Sequence, residues 1–232
     1  MARVHRRGFG RKRGFFANLS AVGWIIFINV VVSVGAFISW GFFPDSVKYF
    51  ALKPESILAG AYLWTLVTHM FSHGGFFHLF INMFVLFSLG GLCERIIGRK
   101  RFVWFYLISG LFAGILSVVL AGYFGFGLGE RIFGSPEIFM VGASGAIFAI
   151  AGLFVVLLPR LKFFIIFLPF FSFPAYIIVP AVLFLTWIAS VAGGLPIGNV
   201  AHFGGFLSGL FYGFYLRSKY KRKVQMLQKR FR

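Results

Sequence analysis

Long apolar runs alternate with short polar or charged turns along most of the chain. A membrane-crossing helix needs about 20 predominantly apolar residues, and Gly, Pro or charged residues commonly mark its ends. The pattern therefore predicts six membrane-spanning helices, at about residues 20–41, 76–93, 102–126, 144–158, 176–191 and 200–216.

Two further stretches do not fit a spanning helix. Residues 42–75 mix aromatic residues with prolines and charges, which is typical of a loop that lies in the membrane interface. Residues 163–171 are apolar, but this run is short and is bounded by Pro169 and Pro174. We interpret the second stretch as a buried or interfacial connector.

Composition places the chain in the membrane class. Of its 232 residues, 59% are hydrophobic and only 12% are charged, and the mean hydropathy is +0.90. These values predict an all-α polytopic membrane protein. Its membrane domain would cover residues 20–217, between a basic cytoplasmic arm, 1–19, and a basic cytoplasmic tail, 218–232. The single cysteine, Cys93, excludes an intrachain disulfide and a cysteine-rich metal site.

The net charge of +18 indicates topology rather than nucleic-acid binding, because the Lys and Arg residues lie in short runs beside the apolar segments. With six spans and the N-terminus inside, only Lys48, Lys53 and Arg131 among the 23 basic residues fall on the outer side. This asymmetry follows the positive-inside rule. We therefore predict a plasma-membrane protein in contact with membrane lipids, with both termini cytoplasmic and no nucleic-acid partner.

Four polar side chains from three predicted helices fall in one layer of the membrane. Ser144 precedes Pro159 by 15 residues, and His202 precedes Arg217 by 15. Both therefore lie about 22 Å from the cytoplasmic end of their helix. His78 and Asn82 bracket the same level on the second span, at about 26 and 20 Å. Packing does not require this coincidence, so the layer is a candidate site just inside the outer leaflet.

The residue types in this layer suit acyl transfer. Ser144 is the candidate nucleophile, and His202 is the natural general base because imidazole accepts a proton near neutral pH. His78 and Asn82 lie four residues apart, hence on one helix face, and both side chains can donate a hydrogen bond to an oxyanion. No acid is available to orient His202, which makes the catalytic unit a Ser-His dyad.

Several neighbours have supporting roles in this interpretation. Small residues beside Ser144 would let a substrate backbone approach, and a glycine stripe on the His202 face would let two helices meet. Two histidines before the second span could hold the loop or a water, and an aromatic ring one turn after Ser144 can stack on His202. These supporting residues are Gly142, Gly145, Gly205, Gly209, His69, His73 and Phe148.

Other interpretations of the same residues stay open. Gly, Ala and Ser near Ser144 are also typical of helix packing in membranes, as is the spacing of Gly110 and Gly114 on the third span. Four histidines suit zinc, and paired histidines suit haem, but the chain has no HExxH motif and no acid at mid-membrane depth. The same lack of acids argues against an aspartyl intramembrane protease and a proton-coupled carrier, and we expect no metal and no cofactor.

The motifs together resemble the rhomboid family of intramembrane serine proteases. They are His73-x4-His78-x3-Asn82, the GASG sequence at 142–145, and Ala201-His202-x-x-Gly205-x-x-x-Gly209, with Gly90-Gly91-x-x-Glu94 ending the second span. The resemblance implies a six-helix bundle with Ser144 as nucleophile and His202 as base. It also implies an oxyanion hole made by His78, Asn82 and the Ser144 backbone N–H.

Two positions depart from the family pattern. Thr65 stands where many members have Arg, and Phe148 stands where an aromatic residue with a hydroxyl is common. Our first hypothesis is an endopeptidase that cuts transmembrane protein substrates near their outer end. The alternative hypothesis is a catalytically silent rhomboid-like protein that binds transmembrane helices.

Overall fold

The computed structural model of the chain describes residues 19–165, 168–195 and 197–231 and is mostly helical. The predicted arm, 1–19, lies almost wholly outside the described residues. The helices are α1 (Ala21–Phe42), α2 (Val47–Phe50), α3 (Pro54–Leu58), α4 (Thr65–Thr68), α5 (Phe76–Val85), α6 (Gly91–Ile97), α7 (Arg99–Phe124), α8 (Leu128–Phe133), α9 (Ser144–Leu157), α10 (Ala175–Gly193), α11 (Asn199–Lys219) and α12 (Lys221–Arg230).

Four helical segments in the described chain are long and apolar enough to cross a membrane. They are α1, the continuous segment Phe76–Ile97, α7 and α10. Within Phe76–Ile97 the backbone winds as a π-helix over Leu86–Gly90, which joins α5 to α6. Two of the six predicted spans fall outside this set: α9 has only 14 residues, and α11 carries glycines and polar residues that reduce its apolar character.

The strands in the region of the predicted connector differ from the all-α prediction. Two segments of this region form a two-stranded antiparallel sheet, β1 (Lys162–Ile165) and β2 (Leu168–Pro174). The predicted connector is not buried within the chain, since Phe164 and Phe170 expose 68% and 95% of their surfaces. Phenylalanine and isoleucine favour strands, and a run this short cannot span a bilayer as a helix.

Helix α9 lies at the centre of the molecule. Eleven of its 14 residues are buried, on all sides of the helix, which is typical of a helix enclosed by others. It packs most extensively against α11 and also contacts α7 and α10. Its first residue is Ser144, so this enclosed helix carries the predicted nucleophile at one end.

The N-terminus of α1 is held by a side chain from α6. The two carboxylate oxygens of Glu94 accept hydrogen bonds from the backbone N–H groups of Ala21 and Val22, at 2.9 and 3.0 Å. The Ser20 hydroxyl accepts a third bond, from the N–H of Gly23, at 3.0 Å. A helix leaves its first N–H groups without intrahelical partners, and a carboxylate there also interacts favourably with the helix dipole.

We expect Glu94→Ala to destabilise the protein by about 1–3 kcal/mol, because it removes two hydrogen bonds to a charged group at a helix end. The midpoint of thermal unfolding in detergent micelles measures this loss. Glu137→Ala is the matched control, because Glu137 is an exposed loop carboxylate and exposed substitutions usually change stability by less than about 0.5 kcal/mol. Equal midpoints for the two variants would contradict the assignment of Glu94 as a cap.

Candidate active site

The loop that leads into α9 fixes the position of Ser144. Gly142 has a φ of +127°, which side-chain-bearing residues rarely adopt, and its N–H donates to the carbonyl of His69 at 2.8 Å. The loop before α9 is also tied to the segment between α1 and α5, since Leu52 and Met140 exchange both backbone hydrogen bonds. The loop between α1 and α5 therefore helps to set the position of Ser144.

Ser144 and His202 are in direct contact across two helices. The Ser144 Oγ lies 2.8 Å from Nε2 of His202, a hydrogen-bond distance. Among the described residues, Nδ1 of His202 has no hydrogen-bond partner. The ring of Phe148 stacks on the His202 ring, with centroids 4.5 Å apart and an interplanar angle of 27°. Aromatic packing, rather than an acid, thus holds the imidazole.

Glycines allow α9 and α11 to touch through their backbones. A Cβ added to Gly205 would overlap the carbonyl oxygen of Gly145, and one added to Gly209 would overlap the carbonyl oxygen of Ala149. In the opposite direction, a Cβ at Gly152 would overlap the carbonyl of Phe206. The predicted glycine stripe is therefore a helix–helix contact, and it brings the two helices close enough for Ser144 to reach His202.

His78 lies against the chain just before Ser144. A Cβ built on Gly142 would stand 2.9 and 3.0 Å from Cε1 and Nε2 of His78, so only glycine leaves room for the ring. The N–H of Gly74 donates to Nδ1 of His78 at 3.4 Å. Because Nδ1 accepts this bond, the hydrogen of a neutral ring lies on Nε2, on the side of Gly142.

Asn82 is buried one turn further along α5. Its side-chain amide donates to the carbonyl of His78, four residues earlier, at 2.9 Å. An amide nitrogen carries two hydrogens, so one remains for a ligand. A role for Asn82 in the site therefore depends on that second hydrogen.

His73 connects the site to α1. Its Nδ1 is 2.9 Å from the hydroxyl of Ser33, and Nε2 accepts the N–H of Ala143, the neighbour of Ser144, at 3.5 Å. Nδ1 therefore carries the hydrogen and donates to Ser33, whose hydroxyl donates to the carbonyl of Phe71 at 3.1 Å. His73 also meets His78 edge to face, with ring centroids 5.0 Å apart.

Sequence reasoning did not single out Ser33. A signal was present, because Ser33 follows Asn29 by four residues within an otherwise apolar run, which places two polar side chains on one helix face. Both side chains are completely buried. A polar pair of this kind inside a membrane helix indicates a partner elsewhere in the chain.

The side chain of His69 packs against α7, while its backbone carbonyl accepts the N–H of Gly142. Its Nδ1 is 2.8 Å from the carbonyl of Thr65, and its ring occupies the space in front of Gly114. Met70 occupies the corresponding space in front of Gly110. The small-residue spacing on α7 thus accommodates two loop side chains, whereas the sequence suggested contact with another membrane helix.

Thr65 also belongs to this buried part of the loop. Its side chain is 1% exposed, and its hydroxyl donates to the carbonyl of Tyr62 at 2.8 Å. Tyr62 is the one non-glycine residue in the described chain with positive φ, at +53°. The Thr65 side chain therefore bonds within the loop itself, at the end of a strained turn.

The histidines that the structure describes do not form a metal-binding cluster. Within the described ranges, no three His, Cys, Asp or Glu side chains lie close enough to share an ion. The parts that the structure does bring together are a serine hydroxyl, an imidazole nitrogen and the free N–H groups of a helix N-terminus. Such a set can activate a hydroxyl and stabilise an oxyanion, which are the requirements of acyl transfer.

The chain is similar to several known proteins. Residues 60–219 match the model of the Rhomboid domain. Presenilin-associated rhomboid-like protein, mitochondrial, of Mus musculus is 31% identical over 170 residues, which are 72% of this chain and 41% of that protein. RHOMBOID-like protein 5 of Arabidopsis thaliana is 34% identical over 174 residues, 75% of this chain and 50% of that protein.

A bacterial relative carries a name that states an activity. Rhomboid protease GluP of Bacillus subtilis (strain 168) is 32% identical over 168 residues, which are 72% of this chain and 29% of that protein. The chain thus spans half or less of the length of these three curated relatives. The family model covers more than half of the chain and includes Ser144, His202, His78 and Asn82. The chain belongs to the rhomboid family.

Proposed function

We propose that the protein is an intramembrane serine endopeptidase. The observation that carries the proposal is the 2.8 Å contact between the Ser144 hydroxyl and Nε2 of His202. A hydroxyl is a weak nucleophile until a neighbouring base accepts its proton, and this geometry suits that transfer. The named protease among the relatives adds support from the family.

The proposed reaction proceeds through an acyl-enzyme. The Ser144 Oγ attacks the carbonyl carbon of the scissile bond while Nε2 of His202 accepts the hydroxyl proton. His202 then gives this proton to the leaving amine as the C–N bond breaks. A water molecule, deprotonated by His202, attacks the ester carbonyl and releases Ser144 with its proton restored.

Three donors are candidates for the oxyanion hole. The first is the N–H of Ser144, which lies at the N-terminus of α9, where the helix dipole also favours negative charge. The second is the Nε2–H of His78, which faces Gly142. The third is the remaining amide hydrogen of Asn82. Donors held in place before the reaction stabilise the tetrahedral intermediate without reorganising.

The proposed substrates are transmembrane protein helices. A helix shields its carbonyls by hydrogen bonding, so a susceptible substrate should carry small or helix-breaking residues near the cleaved bond. Ser144 begins a 14-residue helix, about 21 Å long, so it should lie within the hydrocarbon but near one surface. Cleavage near one end of the substrate helix follows from that depth.

The proposed topology has six membrane-embedded helices, with α9 and α11 completing the set within residues 20–217. The ends rich in Lys and Arg, including the tail 218–232, would face the cytoplasm, and the site would open on the opposite face. The comparisons do not support the plasma membrane in particular, because the relatives include mitochondrial proteins.

Labelling with a fluorophosphonate probe tests this function without knowledge of the substrate. We expect the full chain in detergent to be labelled at Ser144, and labelling to persist with a chelator because no metal takes part. Cleavage of a single-span model substrate in vesicles is the second readout. If the folded protein neither reacts with the probe nor cleaves the substrate while another rhomboid protease does both, the silent helix-binding hypothesis replaces ours.

A further inference from the structure

A groove of about 470 Å³ lies between α7 and α11, at the basic end of the molecule. Its floor contains Phe105 and Tyr212, whose rings stack with centroids 4.9 Å apart. Tyr212 lies ten residues beyond His202 on α11, about 15 Å along the helix. The groove is therefore separate from the proposed active site, and its volume lies within the range of small-molecule sites, roughly 300–1,000 Å³.

The lining changes from charged to apolar along the groove. Lys100 and Arg101, in the first turn of α7, provide two cations at one end. Trp104 and Ile108 follow along the same helix and expose 66% and 60% of their surfaces. This order matches the depth profile of a membrane surface, with charges at the headgroups, Trp at the interface and aliphatic residues in the hydrocarbon.

The two cations are available to a ligand. The one ion pair within the described residues joins Lys53 and Glu55, so neither Lys100 nor Arg101 is paired with an acid there. Arg101 donates a hydrogen bond to the hydroxyl of Tyr220 at 3.3 Å and lies 5.6 Å from the centroid of its ring, and both of these groups are neutral. A guanidinium and an ammonium beside an apolar trough complement a molecule that has an anionic head and a hydrocarbon tail.

We propose that this groove binds one anionic phospholipid. Its phosphate lies against Lys100 and Arg101, and one acyl chain runs along Trp104 and Ile108 over the Phe105–Tyr212 floor. A free phosphate would use only the cations and leave the apolar wall without a partner. Basic pockets between membrane helices are suited to anionic headgroups, which supports a lipid as the occupant.

Native mass spectrometry of the full chain in detergent tests the proposal. Added dioleoyl-phosphatidylglycerol should bind about tenfold or more tightly than dioleoyl-phosphatidylcholine. Lys100→Gln combined with Arg101→Gln should remove this preference, because each cation near an anionic headgroup is worth about a factor of five. Arg222→Gln combined with Lys229→Gln is the matched control, since it removes two exposed charges from α12. This control should bind phosphatidylglycerol within twofold of wild type.

The Trp104→Ala variant distinguishes binding of a lipid from binding of a simple anion. It should weaken phosphatidylglycerol binding several-fold while both groove cations remain. Equal losses in the Lys100/Arg101 variant and the α12 control would overturn the proposal, because they would show general attraction to a basic surface. Equal binding of the two lipids by wild type, or full displacement of phosphatidylglycerol by an equal concentration of inorganic phosphate, would also overturn it.

Discussion

Replacing either member of the Ser144–His202 pair by alanine is expected to reduce cleavage of a transmembrane substrate by at least about 10³-fold. Ser144→Ala removes the atom that would form the acyl-enzyme. His202→Ala leaves the hydroxyl in place but removes the base 2.8 Å away that would accept its proton. The two losses should be similar, and the double variant should be no worse than either single one, because the residues act as a unit.

Cleavage rates in reconstituted vesicles and fluorophosphonate labelling measure this effect. Ser88→Ala is the control for Ser144→Ala: Ser88 also lies in a membrane segment, and its hydroxyl donates to the carbonyl of Phe84 at 2.8 Å. We expect the control to cleave within twofold of wild type. Substantial cleavage by Ser144→Ala would show that another group attacks the substrate, and the proposed mechanism would be wrong.

Gly205→Ala is expected to reduce cleavage by about 100-fold although it leaves both proposed catalytic groups in place. The added methyl would overlap the carbonyl oxygen of Gly145, which is backbone and cannot rotate away. Helices α9 and α11 must then separate, and the Ser144 Oγ moves out of hydrogen-bond range of His202. A displacement of about 1 Å between reacting groups is enough for a loss of this size.

The matched control is Gly35→Ala on α1, where an added Cβ has no neighbour within 4 Å. Alanine is favoured over glycine inside a helix by about 1 kcal/mol, so the control should keep its activity and its stability. Gly205→Ala should also lower the midpoint of thermal unfolding. A Gly205→Ala protein with wild-type activity would contradict the close backbone contact between α9 and α11.

Much of this architecture is predictable because membrane helices have a strong sequence signal. Four of the six predicted spans are present as apolar helices of sufficient length, with ends that differ from the prediction by a few residues. The proximity of Ser144 and His202 could be anticipated from their equal heights along helices of known rise. Gly205 and Gly209 indicated that the helix carrying His202 could approach the helix carrying Ser144 closely.

Other features depend on contacts that no local pattern reveals. The spacing of Gly110 and Gly114 signals a close approach, but only the fold shows that His69 and Met70 make it. The side chain of Asn82 uses one amide hydrogen within its own helix and leaves the other for the proposed site, and only the fold shows this division. The strands β1 and β2 do not follow from the sequence, because a short apolar run is ambiguous between strand and helix.

The contacts of α1 indicate which residues the protein needs to fold. The family match begins at residue 60, so it excludes α1. Yet α1 contains Ser33, whose hydroxyl is hydrogen-bonded to His73. Two backbone N–H groups of α1 also donate to the two carboxylate oxygens of Glu94. A fragment cut at residue 60 would leave those buried or half-buried groups without these partners. We therefore expect a fragment that begins at residue 60 to fold less stably than one that includes α1, although the family match does not cover that helix.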